Sequence, residues 1–169
     1  MFVYDNLFRD KNNNTVIINI IRVFFVLFLL VLLAMIHPDT FVSSTQKGMG
    51  LFARRDFQRG EVLWIIDDHD VKIPLEDYMA LDEQQKQKLN IYSYLDFFHR
   101  VIIPWDEGKY VNHDCEPNST GLIQYDNISI ALREIKAGEE IVEDYSCYFG
   151  HFETFKCMCG SYNCRQLIS

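Results

Sequence analysis

The sequence has no internal repeat, and past residue 39 no Pro-, Gly- or Ser-rich linker divides it. Repeat arrays and a two-domain arrangement of that part are thereby excluded. An excess of positive charge is also missing. Sixteen Lys and Arg stand against 24 Asp and Glu, for a net charge of −8. Such a surface repels nucleic acid phosphates and attracts basic partners, so no direct nucleic acid binding is expected and a lysine-rich polypeptide suits the sign. The even cysteine count of a disulfide framework is absent too. There are five cysteines, Cys115, Cys147, Cys157, Cys159 and Cys164, with three inside eight residues. That pattern fits metal binding in a reducing compartment better than disulfides. No small-x-small cleavage site follows Ala34, which argues against a signal peptide.

What is present is enough for one ordinary domain. The chain has 169 residues, 49% hydrophobic and 14% aromatic, too apolar for disorder. Residues 1–14 form a polar lead. Val16 to Ile36 is apolar, interrupted only by Asn19 and Arg22. As a helix it spans ~31 Å, about one bilayer core, with Arg22 able to snorkel to the headgroups. The expectation is an N-terminal transmembrane helix, with an amphipathic or buried helix as the alternative. Residues 1–34 carry Arg9, Lys11 and Arg22 against Asp5 and Asp10, so the acidity lies in the remainder.

From Thr40 onward the pattern is short strands and turns. Phe41 to Thr45 reads as a strand, Gly48-Met-Gly50 as a turn and Leu51 to Ala53 as a second strand. Gln58 to Gly60 is a turn before a buried strand from Glu61 to Ile66. Leu75 to Leu89 is helical, with Asp82 and Gln85 spaced as a capping box for a second helix. Tyr92 to Leu95 pairs with Val101 to Pro104, and Gly121 to Tyr125 with Ile128 to Leu132 through a turn at Asp126-Asn127. Ile135 to Tyr145 is the last of these strands. The fold class is mostly β with a small α insert.

Four stretches carry the chemistry. Gly48-Met-Gly-Leu-Phe-Ala53 removes side chains where the backbone turns or approaches something closely. Tyr110-Val-Asn-His-Asp-Cys-Glu-Pro-Asn-Ser119 packs amides, an imidazole and a thiol around a proline turn, and by itself reads equally as a polar loop. Gly138-Glu-Glu-Ile-Val-Glu-Asp-Tyr145 ends in a tyrosine that serves either a core or a site. Cys157-Met-Cys-Gly-Ser-Tyr-Asn-Cys-Arg165 supplies three thiols, open to zinc, disulfides or free thiols. Cys147 is the spare, expected as a buried apolar residue.

In this order the four resemble the SET-domain protein-lysine methyltransferases with a post-SET zinc segment, over residues 39 to 169. The matching patterns are G-x-G, N-H-x-C-x-P-N, G-E-E-x-x-x-D-Y and C-x-C-x4-C-R. The resemblance implies a SET β-fold whose C-terminal segment is threaded as a pseudoknot, with a SET domain at 39–150, a post-SET segment at 151–169, and residues 1–38 outside both. Met35-Ile-His-Pro looks like the natural start of small SET proteins, so translation from Met35 is a second reading of the apolar run. A membrane anchor is expected where residues 16–36 are expressed, with the remainder intracellular in a reducing compartment.

The resemblance further implies transfer of methyl from S-adenosyl-L-methionine to a lysine of a histone or other basic protein. The alternative is a silent SET-fold module that binds basic peptides. Gly48, Met49, Gly50, Asn112, His113 and Tyr145 would meet the methyl donor, and Tyr145 would be catalytic. Tyr92, Tyr94 and Tyr148 are candidate channel walls. Cys115, Cys157, Cys159 and Cys164 would hold a structural Zn2+. In many family members an aromatic residue sits two positions before the last tyrosine and helps set how many methyls are added. Here that position holds Glu143, which leaves that number open.

Overall fold

The computed structural model describes residues 36–122, 128–148 and 154–168, and all that follows concerns them. The expected Asp126-Asn127 turn, and all of the expected membrane helix but Ile36, lie outside that set. Among the described residues, no helix is long and apolar enough to cross a membrane.

The first strands, β1 (Thr40–Thr45) and β2 (Gly48–Ala53), form an antiparallel hairpin in which Thr45 faces Gly48. The reversal is therefore at Gln46-Lys47, and the Gly48-Met-Gly50 segment opens a strand instead of forming the turn. Thr45 closes the reversal: its Oγ1 accepts from Lys47 N at 2.9 Å and donates to Gly48 O at 3.1 Å. Gly48 has φ +111°, which only glycine adopts without strain.

After Gly60 comes β3 (Val62–Ile65), expected as a buried strand. Only Leu63 and Trp64 are buried, while Val62 and Ile65 are exposed. A bulge between Val62 and Trp64, against β9 (Ile128–Ala131), turns two consecutive side chains inward. Next, β4 (Val71–Pro74), β5 (Tyr94–Leu95) and β6 (Arg100–Ile103) make a three-stranded sheet. Between β4 and β5 lie two helices, α1 (Leu75–Met79) and α2 (Glu83–Asn90). The reciprocal Asp82–Gln85 capping box that starts α2 is formed.

The larger sheet runs β1-β2-β10-β8-β9-β3, where β8 is Ser119–Gly121 and β10 is Glu140–Glu143. The short β7 (Asn112–His113) also joins β10, and both β7 and β8 run parallel to it. The C-terminal pair, β11 (Phe155–Lys156) with β12 (Leu167–Ile168), is antiparallel. Leu51, Ala53, Phe57, Leu63, Ala131, Ile135 and Ile141 make one core. Tyr78, Leu95 and Val101 make a second, under the helices.

Asn118 joins β8 to β10. Its side chain is 1% exposed; Nδ2 donates to Glu140 O at 2.7 Å and to Glu139 Oε1 at 3.0 Å, while Oδ1 accepts from Val142 N at 2.9 Å. It thus substitutes for ladder bonds that a turning chain cannot make. Asn118→Ala strands a buried N–H and a buried C=O, and is expected to cost about 2–4 kcal/mol in urea unfolding.

Candidate functional site

Strand β10 and the residues after it place three side chains by strand alternation: Ile141, Glu143 and Tyr145 all line one cavity of about 410 Å³. Tyr92, Tyr94 and Tyr148, the three tyrosines expected as channel walls, line it too. Tyr94 and Tyr148 pack with ring centroids 5.1 Å apart, and Tyr148 lies over Gly121, where a Cβ would come within 3.1 Å of its ring. Trp64 closes one side and donates from Nε1 to Asp106 Oδ1 at 3.2 Å.

Tyr145 sits one step past the strand, in a 3-10 turn at Tyr145–Cys147. Its hydroxyl donates to Val111 O at 2.6 Å. Burial and then the charge of Glu143 push its ionisation far above the ordinary tyrosine value, so the hydroxyl stays protonated.

Of the residues expected to meet the methyl donor, Tyr145 lines the cavity, whereas Gly48, Met49, Gly50, Asn112 and His113 do not. Asn112 Nδ2 donates to Met49 O at 2.9 Å and to Glu140 Oε1 at 2.8 Å. Lys47 Nζ lies 3.3 Å from Glu140 Oε2 and 3.5 Å from His113 O. A Cβ on Gly50 would fall 2.6 Å from Glu140 Oε1 and 3.1 Å from Asn112 Nδ2, so glycine is what leaves this cradle open. A cation, a carboxylate and an amide around a bare backbone complement an amino-acid zwitterion. The donor set therefore fits the methionine end of S-adenosylmethionine. Lys47 and Glu140 were missed in the sequence. Glu140 had a signal, as the second Glu of G-E-E, whereas Lys47 reads as an ordinary turn lysine.

His113 is 5% exposed. Its Nδ1 accepts from Tyr145 N at 3.2 Å, which puts the ring proton on Nε2, 3.3 Å from Cys115 Sγ. The imidazole is a brace between the tyrosine and the thiol.

The ligand atoms of Cys115, Cys157, Cys159 and Cys164 all lie within 4.8 Å of one another. Cys115 and Cys157 sulfurs are 3.8 Å apart, matching the ~3.8 Å edge of a tetrahedron with Zn–S bonds of ~2.3 Å. Burial pushes the Cys157 thiol up to about 12, whereas at Cys159 burial is outweighed by hydrogen bonds, which bring the thiol down to about 6. The residues present fit a zinc ion. Cys147 stands apart and is exposed, contrary to the expectation of a buried apolar residue. It lies in the 3-10 turn that carries Tyr145 inward, and the turn points its next side chains outward.

The tail is held by more than sulfur. Ser161 Oγ donates to Asp114 Oδ1 at 2.5 Å, and Asn163 Nδ2 to Glu116 Oε1 at 2.6 Å. Arg165 donates from its backbone N to Cys115 Sγ at 3.4 Å, and from its guanidinium to Ser146 Oγ at 2.7 Å and to Asp144. Burial pulls the Asp144 carboxyl up, but the Arg165 bond and those from Ser146 outweigh it and hold it below its ordinary value. Phe155 brings the tail onto the site, 5.7 Å from the His113 ring and 6.0 Å from Tyr145.

Residues 48–146 match the SET domain family. The chain is 31% identical over 141 residues to the Variant-silencing SET domain-containing protein of Plasmodium falciparum, covering 76% of this chain and 6% of that protein. It is 31% identical over 115 residues to N-lysine methyltransferase KMT5A of Xenopus tropicalis, 60% of this chain and 34% of that one. With Histone-lysine N-methyltransferase SETD2 of Mus musculus it shares 28% over 153 residues, 78% and 6% of the two chains. The chain thus spans about a third or less of these relatives. With the family match over more than half its length, and a C-terminal cysteine cluster consistent with a post-SET zinc site, the chain belongs to the SET domain lysine methyltransferase family.

Proposed function

We propose that this chain transfers a methyl group from S-adenosyl-L-methionine to a lysine side chain of a basic protein, with core histones as the first substrates to test. The observation that carries this reading is the Tyr145 hydroxyl bonded to Val111 O, with both residues lining an aromatic-rich cavity and Val111 leading directly into Asn112 of the polar cradle. An aromatic cavity accepts the lysine stem, and the acidity of the chain draws a basic partner. The methyl donor supplies an electrophilic methyl on a positively charged sulfur.

In this reading the chain's residues align and desolvate. Gly48, Met49, Gly50, Asn112 and His113 hold the donor, with Lys47 and Glu140 matching its zwitterionic end. Tyr145 and Val111 present oxygens that accept weak contacts from a polarised methyl. Free lysine has a pKa of ~10.4, so almost all of it is charged near neutrality. An apolar channel beside a positive sulfur favours the neutral amine through desolvation and like charge. Most of the rate comes from alignment of amine and methyl. Zinc, held by Cys115, Cys157, Cys159 and Cys164, would be structural: four thiolates leave no open position for substrate. The parallel pairing of β7 and β8 with β10 supports the threaded C-terminal arrangement. Five free cysteines suit a reducing compartment.

Methyl transfer from labelled donor to core histones tests the reading, and no transfer to any of a panel of basic proteins leaves a silent binding module instead. Tyr145→Phe keeps the ring packing and removes the oxygen. It is expected to bind donor normally and to lose about tenfold or more in turnover, ~1.4 kcal/mol at the transition state. Turnover within about threefold of the parent removes Tyr145 from this role.

The metal carries its own test. The purified protein is expected to hold one zinc per chain, with Cys115→Ser weakening it as much as Cys159→Ser does. Tail order is coupled to the metal, so chelation abolishes transfer. Undiminished zinc in Cys115→Ser moves the fourth ligand elsewhere.

A further inference from the structure

Glu143 is 5% exposed and lines a cavity walled largely by aromatic and apolar side chains, with Gln87, Asn90, Ser93, Lys109 and Ser129 among the polar ones. Ser129 donates to Oε1 and Tyr148 to Oε2. Ser119 also hydrogen-bonds to the carboxylate. A carboxylate offers about four acceptor positions, so these donors do not exhaust it. Among the described residues no Lys or Arg pairs with it. Lys109, which also lines the cavity, sits over the Tyr110 ring instead, 5.3 Å from its centroid. A buried carboxylate without a cation is costly. An incoming ammonium is what would complete it.

Among the described residues, the groups around Glu143 are mostly hydroxyls. Ser119 on β8 and Ser129 on β9 face the carboxyl as hydroxyls. Tyr145, Cys147 and Tyr148 follow it in the chain, and Tyr94 on β5 backs Tyr148. On β7, His113 pairs with Glu143 through the backbone while its ring turns to Cys115. The neighbouring acids are bound elsewhere, Glu140 to Asn112 and Lys47, Asp144 to Arg165.

We propose that Glu143 is a catalytic base that accepts an N–H of the substrate ammonium and takes the proton that must leave before transfer. This rests on the methyltransferase reading. The proton passes from lysine Nζ to a Glu143 oxygen, leaving a neutral amine and a neutral carboxyl. The nitrogen lone pair then forms the N–C bond, and the electron pair of the broken S–C bond stays on sulfur. Glu143 returns its proton to water when the product departs. Burial raises the carboxyl to about 7, the range in which a base is half available and still able to hold a proton. An aromatic side chain at this position has none of this capacity.

Initial rates of the full chain on core histones, followed against pH, test the proposal. Glu143→Gln is expected to fall about a hundredfold near pH 7 and to recover toward the wild type near pH 9.5, where solvent deprotonates the amine. Tyr148→Phe removes a donor to the ionised carboxyl, so its acid limb moves to higher pH. Denaturant unfolding supplies a readout without turnover. The folded wild type keeps the proton to about 7, while the unfolded chain loses it near the ordinary value of 4.5. Wild type therefore loses stability relative to Glu143→Gln as pH rises through that window. Parallel pH–rate profiles for wild type and Glu143→Gln, or an equal stability gap at about pH 5 and about pH 8, overturn the proposal. Should Glu143→Gln fail to fold, an unshifted acid limb in Tyr148→Phe overturns it. An inactive wild type sinks the methyltransferase reading and the proposal with it, whereas an active wild type with an unaltered Glu143→Gln profile sinks the proposal alone.

Discussion

A four-residue strand must satisfy its backbone on both edges, and the rest of the molecule is arranged around that requirement. β10 pairs antiparallel with β2 at Glu140 and Ile141, and parallel with β7 and β8 at Val142 and Glu143. Parallel partners cannot be joined by tight turns, so the chain between β7 and β8 has to loop, and Asn118 supplies the bonds the loop cannot. Because side chains alternate, the same strand sends Ile141 and Glu143 into the cavity and Glu140 to Asn112. Its next two residues continue the division, Asp144 to the tail and Tyr145 to the site. Core, cradle, cavity and tail contact are thus fixed by one strand register.

The tail depends on a second balance. Hydrogen bonds tie it to Asp114, Glu116 and Asp144, all acidic and all beside the loop that bears Cys115. Exposed pairs of this kind contribute little each. Four thiols within 4.8 Å of one another offer the tail a stronger tie if a cation joins them, and Phe155 links that part of the tail to the Tyr145 ring.

Much of this was legible in the residues. The capping box at Asp82 and the hairpin of β5 with β6 follow from local chemistry that tertiary contacts do not override. The cysteine cluster was visible as C-x-C-x4-C, with its fourth member supplied by family likeness, since Cys115 is 42 residues from Cys157 and no local rule spans that distance. The Gly48-Met-Gly50 segment misled because glycine marks both turns and close approaches, and here the approach of Asn112 and Glu140 decided. The burial of β3 misled because a bulge is invisible in composition. The environment of Glu143 was hidden for a different reason: Ser129 and Tyr148 reach it from other elements, and only the fold assembles them.

The helices α1 and α2 and the sheet of β4, β5 and β6 keep a core of their own, Tyr78 with Leu95 and Val101. That unit also contributes Asn90, Ile91, Tyr92 and Tyr94 to the cavity wall. The strand that leads to Tyr145 and this part of the cavity wall therefore pack on two different cores of one chain. Substitutions in the insert can reshape the cavity wall while the strand that leads to Tyr145 keeps its register, so the pocket is free to change outline without the sheet behind it being rebuilt.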